Sequence, residues 1–360
     1  MDKRKMLANK LRQQPPQRPN VVIGLDGFVD EIIHVVDKRL DAQTFVRLDN
    51  IADFARRIDR ASGLSTNIEL YPTQRKIGGN GPIMCNALAQ HEGNYTYIGS
   101  LGMPAIDGVF QELAAKAELI TLAASGHTDA LEFDDGKILF GKTASLNDIT
   151  YERLIEVVGK DRFVGLLQTA DLFATVNWSL IPKMTEIWRN LIANIIPLLK
   201  PRPVRPVMFI DLADPEKRTP KEIAEALSLL KEFRSYFFVV LGFNKKEAYD
   251  VGHVLQLFPA DELARYEVTL EELNQALIRK LALDAIVIHP VDRSCCVVDG
   301  KFFHELGPFV KKPKLTTGAG DNFNAGFVLG LFLGLTPDEA LLVGMATSGF
   351  YVRKIGRAQV

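Results

Sequence analysis

Cysteine is scarce in this chain. Cys85, Cys295 and Cys296 are its three cysteines, too few and wrongly spaced for a disulfide framework or a thiolate metal site. A reducing, cytoplasmic compartment is the expectation. An excess of one charge is also missing: 43 Lys and Arg stand against 44 Asp and Glu, a net charge of -1. No global field is available to hold nucleic acid or an anionic membrane, so the expected partner is small. No apolar run reaches transmembrane length. The opening, MDKRKMLANKLRQQPPQRP, is basic but lacks the apolar core of a signal peptide; residues 1–19 are expected to form a solvated basic tail. Neither a Gly-x-x-x-x-Gly-Lys-Ser/Thr loop nor a Gly-x-Ser-x-Gly elbow occurs, which excludes P-loop enzymes and the common serine hydrolases. The six histidines, His34, His91, His127, His253, His289 and His304, show no metal-ligand spacing.

What is present is alternation. Short apolar runs begin at Asn20, Tyr95, Asp171, Pro206, Tyr236 and Asp284, nearly unbroken, as in strands covered on both faces. Cys295 and Cys296 in SCCVVDG are expected on opposite faces of a further strand. Between the runs lie helical segments with their own start signals, Thr219-Pro220 with Glu222, Thr269 with Glu272, and Thr336-Pro337 with Glu339. This order predicts an α/β fold with a mostly parallel sheet and helices on both faces. Residues 31–76, with a helix in LDNIADFARRIDRA, and residues 127–142, two short strands around Asp134-Asp135-Gly136, break the rhythm and are expected to form a small β cover.

The chemistry concentrates in LTTGAGDNFNAGF, residues 315–327. Gly318, Ala319 and Gly320 let backbone approach a ligand, and their successive N–H groups at a helix start form an anion site. Asp321 then reads either as a residue complementing the helix dipole or as a general base beside that site. Two glycines and an alanine before it favour the base. The dipole should hold Asp321 ionised and make it a weak base, which suits phosphoryl transfer, where positioning and charge stabilisation dominate. Gly78 and Gly79 in GGNGPIMCNALA are a tight turn or a close-approach point. Asn244 and Glu247 in LGFNKKEA are a surface capping pair or organisers of water around Mg²⁺. Asp26 and Asp30 in GLDGFVDEI follow the first strand, where open α/β sheets bind ligands; either can accept hydrogen bonds from a polyol.

Along the chain, GLDGFVD, the paired glycines, NKKE and TTGAGDNFNAGF follow one another in the order of, and resemble, the ribokinase-like, or PfkB, carbohydrate kinase family from Asn20 to the chain end. The resemblance implies a kinase domain over 20–360 with a small β lid at about 31–76 and 127–142. It implies transfer of a phosphoryl group from ATP, with Mg²⁺, to a hydroxyl of a sugar or sugar derivative. Asp321 resembles the catalytic base and Gly318–Gly320 the anion hole. Asn244, Glu247 and Thr317 match the ATP and Mg²⁺ machinery, with Glu247 reaching the metal through water. Asp30 is the better match for the acid that meets the substrate hydroxyl, with Gly78 and Gly79 beneath the substrate and Asp26 and Asn80 also on the substrate side. The family's usual asparagine after the glycine pair falls on Ile83, unless Asn80 or Asn86 replaces it. Leu315 stands where many members carry an aspartate, which argues against activation by K⁺. His289-Pro290 replaces the usual Thr-x-Gly, and Pro290 lacks a backbone donor, so altered adenosine contacts are expected. A homodimer is implied by the lid. A nucleoside or vitamin-like alcohol kinase of the same fold, or a sensor that binds without turnover, are the alternatives.

Overall fold

Strands that are apolar on both faces must be covered on both faces. The computed structural model describes residues 3–308, 310–311, 313–314 and 316–353. In chain order its strands are β1 (Asn20–Leu25), β2 (Phe28–Arg39), β3 (Phe45–Arg47), β4 (Leu70–Gly78), β5 (Asn94–Gly99), β6 (Glu118–Thr121) and β7 (Gly126–Glu132). There follow β8 (Lys137–Lys142), β9 (Leu172–Thr175), β10 (Val207–Asp211), β11 (Phe238–Phe243), β12 (Ala285–Ile288), β13 (Arg293–Val298) and β14 (Lys301–Leu306). A nine-stranded sheet runs β14-β13-β12-β11-β10-β9-β1-β5-β6. The six apolar runs of the sequence are its contiguous centre, β12 to β5, and every pair among them is parallel. The chain builds outward from β1 through β5 and β6, and in the other direction from β9 through β12. The strand order therefore reverses between β1 and β9, where such sheets open a crevice at their carboxyl ends.

Each face has its own core. Phe173, Trp178, Trp188, Phe237 and Phe243 are fully buried on one side. On the other, the helices Asn80–Leu88, Ala319–Phe332 and Pro337–Tyr351 pack through Met84, Leu88, Phe323, Phe327 and Leu341. Cys295 belongs to the first core and Cys296 to the second, as strand alternation requires. The helices announced by Thr219, Thr269 and Thr336 begin there, each with a complete capping box.

The two irregular stretches form a second sheet. Strand β2 pairs with β4 on one edge and with β7 on the other, β8 joins β7, and β3 pairs with the far end of β2. This sheet starts earlier than Glu31, at Phe28. Its outward face is covered by the helix Ile51–Asp59, and Ile33, Val35, Phe54, Leu131 and Phe133 make a small core between them.

The N-terminal residues differ from expectation. Lys3–Gln13 is a helix docked on the body of the protein, not a solvated tail. Leu7 is buried and Leu11, one turn on, packs against the same core. The basic charges meet acids from the far end of the chain: Lys3 pairs with Glu305 and Asp338, and Lys10 with Glu339. Among the described residues no helix is long and apolar enough to cross a membrane.

Candidate active site

The reversal point between β1 and β9 is occupied by a carboxylate. Asp26 follows β1 and is completely buried. Its Oδ1 accepts from the Gly81 amide at 2.9 Å and the Tyr97 hydroxyl at 3.2 Å, and its Oδ2 from the Asn80 amide at 2.9 Å and Asn177 Nδ2 at 2.7 Å. Burial pushes its pKa up to about 6, with those hydrogen bonds opposing the rise. These donors tie the start of the helix Asn80–Leu88 to β1 and β9 through Asp26, which is not among the residues lining the cavity next to it. Gly79, at φ 90°, allows this approach; a Cβ there would lie 2.8 Å from Asp26 Oδ2.

Asp30 is the acid that faces open space. A cavity of ≈ 210 Å³ lies between the two sheets, lined by Asp30, Lys76, Thr128 and Lys137 from the small sheet. Gly79, Asn80, Asn177, Thr317, Gly318 and Asp321 line it from the large one. Burial raises the Asp30 pKa, opposed by Lys76, Thr128 and His127. Gly78 stands behind this wall, with no room for a Cβ because one would sit 2.3 Å from Asp30 Oδ1. Of the asparagines after the glycine pair, Asn80 reaches the centre: its Nδ2 donates to Asp321 Oδ1 at 2.9 Å. Asn86 is buried, with its Oδ1 lacking a hydrogen-bond partner, and lies outside the cavity.

Asp321 sits in the first turn of the helix Ala319–Phe332, whose N-cap Gly318 has φ 89°. The turn separates two cavities. Thr317, Gly318 and Asp321 border the first; Thr316, Ala319 and Gly320 border a second of ≈ 340 Å³, which also receives Asn244, His289, Pro290 and Phe323. One element of the expected anion hole is corrected, because the Ala319 amide donates to the Thr316 carbonyl at 3.1 Å. Among the described residues, the amides of Gly318 and Gly320 have no backbone partner outside the helix. The protonation of Asp321 also departs from expectation. Burial, then the charge of Asp211, raises its pKa well above the ordinary aspartate value, against the Asn80 hydrogen bond and the helix terminus. Desolvation outweighs the dipole, and Asp321 is a stronger base than the motif alone suggests.

The remaining acids complete a buried cluster. Asn244 and Glu247 form a capping box, as their spacing allows, but a partly buried one: the Asn244 amide donates to Glu247 Oε2 at 2.8 Å and the Glu247 amide to Asn244 Oδ1 at 2.9 Å. Burial and then the Asp211 charge push Glu247 up to about 9. Asp211 ends β10, accepts from the Ala213 amide at 2.6 Å and Asn324 Nδ2 at 2.8 Å, and is raised by burial to about 6. Asn324 Oδ1 beside it is buried without a partner. Buried acids that raise one another's pKa, with oxygen donors around them, are a hard donor set suited to Mg²⁺. His127 is brought near Asp129 (3.0 Å) and Glu31 (3.9 Å) despite its unpromising spacing. Lys142 at 2.7 Å from Asp129 and Arg75 at 3.9 Å from Glu31 pair with the same carboxylates.

Residues 3–357 match the prokaryotic ketohexokinase family. The chain belongs to that family. A ketohexokinase of Haloferax volcanii is 27% identical over 351 residues, covering 96% of this chain and 91% of that protein. A ribokinase of Arabidopsis thaliana, solved with ribose and ATP, superposes with a TM-score of 0.61 at 16% identity, covering 95% of each chain. An adenosine kinase of Sinorhizobium meliloti superposes with a TM-score of 0.62 at 17% identity, covering 96% of this chain and 97% of that one. The fold is ribokinase-like, and the chain is a sugar kinase of the PfkB type.

Sequence reading missed Lys76, Thr128, Lys137, Asn177 and Asp211. Asp211 had a usable signal, an acid closing an apolar strand at the sheet's carboxyl edge. The others are placed by strand pairing and offer no local signal. Leu315, the basis for expecting no K⁺ activation, lies outside the described residues, as do residues 354–360.

Proposed function

We propose that this chain transfers the γ-phosphoryl group of ATP to a hydroxyl of a ketohexose. The observation that carries the proposal is Asp321 at a helix N-terminus between two cavities, one walled by polar side chains and the other by His289, Phe323 and Met345. The polar cavity takes the sugar. The second takes the nucleotide, with the Gly318 and Gly320 amides directed at the phosphates. Asp321 accepts the proton of the attacking hydroxyl. Asn80 fixes its orientation through a 2.9 Å hydrogen bond, and Asp26 in turn holds the Asn80 backbone. Glu247 and Asp211 would hold Mg²⁺, Glu247 through water, and a bound ion would supply neutralisation of the phosphate charge. The small sheet acts as a lid that keeps water from the phosphates.

The test is sugar-dependent ADP formation with Mg²⁺, run beside Asp321→Asn. A ketohexose should be the best acceptor among hexoses, pentoses and nucleosides, and kcat should fall by about 10² to 10⁴ in the variant with little change in sugar KM. ADP formation that ignores the sugar, or an active Asp321→Asn, would overturn the assignment.

A further inference from the structure

Three charged groups of the small sheet face the sugar cavity, and one has no partner. Lys137 is paired with Glu132 at 3.0 Å. Lys76 lies directly across from Asp30 in the β2–β4 register and lines the same cavity. Its ammonium forms no ion pair or hydrogen bond with any described residue and feels Asp30 only at longer range. Burial lowers its pKa. Holding a partly buried ammonium opposite a carboxylate without letting them touch is unfavourable unless something else completes both.

The two groups ask for different things. The Lys76 ammonium only donates hydrogen bonds and the Asp30 carboxylate only accepts them. A hydroxyl does both, so one hydroxyl, or two neighbouring ones, satisfies the pair. A carboxylate or phosphate substituent would suit Lys76 and be repelled by Asp30; an ammonium substituent would suit Asp30 and be repelled by Lys76. We infer that Lys76 is a specificity-determining residue which, with Asp30, holds a sugar hydroxyl between donor and acceptor and rejects charged substituents at that position. This rests on the cavity between the sheets being the sugar site, as proposed above.

The test measures a neutral ketohexose, an amino sugar and a sugar acid with the wild type, Lys76→Met, Lys76→Arg and Asp30→Asn. Lys76→Met should raise the ketohexose KM by about tenfold or more, the loss of one charged hydrogen bond, and leave the ATP KM unchanged. The same variant should improve the amino sugar relative to the ketohexose, whereas Lys76→Arg keeps the discrimination. Asp30→Asn should shift preference the opposite way, toward the sugar acid. Variants that change all three sugars by one common factor would show that Lys76 merely neutralises Asp30, and would overturn the inference. If the wild type phosphorylates no sugar, the proposed function fails by itself. Calorimetric binding of the same three compounds without ATP then decides the Lys76 claim, which falls if charged and neutral sugars bind alike.

Discussion

Replacing Glu247 by Gln should make the protein more stable and much less active. In the folded chain Glu247 titrates at about 9 rather than 4.5 because it is buried beside Asp211. The folded state therefore keeps a proton that the unfolded chain has released, and stability is fully present below pH 4.5 and falls as the pH rises toward 9. Each pH unit in that window costs about 1.4 kcal/mol, so over the roughly 2.5 units from 4.5 to neutral pH the burden is at most ~3.5 kcal/mol, and less once Asp211 takes its share. Glutamine mimics the protonated acid and still fits a capping box, so it removes this pH-dependent cost. Thermal unfolding of wild type and Glu247→Gln in a chelator, at acidic, neutral and alkaline pH, provides the test. The two should melt together at low pH and separate as pH rises, with the variant higher by a few degrees. Added Mg²⁺ should raise the wild-type melting temperature and affect the variant less. A variant that is less stable at pH 8, or that keeps the wild-type slope, would refute the reasoning that these acids are held close together for a cation.

Two further perturbations test the scaffold. Asp26→Asn places an amide against four donors and should cost about 3 kcal/mol in chemical unfolding. It should also lower kcat, because Asn80 loses its anchor. Leu7→Ala should cost about 2 kcal/mol and loosen the N-terminal helix to early proteolysis while leaving kcat unchanged; a protease pattern identical to wild type would mean the helix contributes nothing to the core.

The large sheet was legible because its strands are local signals: a run such as NVVIGL is apolar at nearly every position only if both faces are covered. The capping boxes at Thr219, Thr269 and Thr336 were legible for the same reason, each lying within four residues. Asp321 could be located but its base strength could not be judged, since the dipole is visible in the motif while burial and the charge of Asp211, 110 residues earlier, are not. In GLDGFVD both Asp26 and Asp30 were candidates to meet a polyol, with Asp30 the better match; the structure sets Asp26 among buried donors and Asp30 on the cavity wall. The basic N-terminus misled because its counter-charges, Glu305, Asp338 and Glu339, come from the opposite end of the chain.

The small sheet carries a core of its own behind it, and the alternation of β2 divides labour along that strand. Phe28, Asp30 and Ile32 look into the cavity, whereas Ile33 and Val35 serve the core beneath the helix Ile51–Asp59. Changes on the cavity side can then accumulate without unfolding the plate that presents them. Such a division offers a route by which new acceptor preferences could be selected, or engineered, one side chain at a time on an unchanged mount.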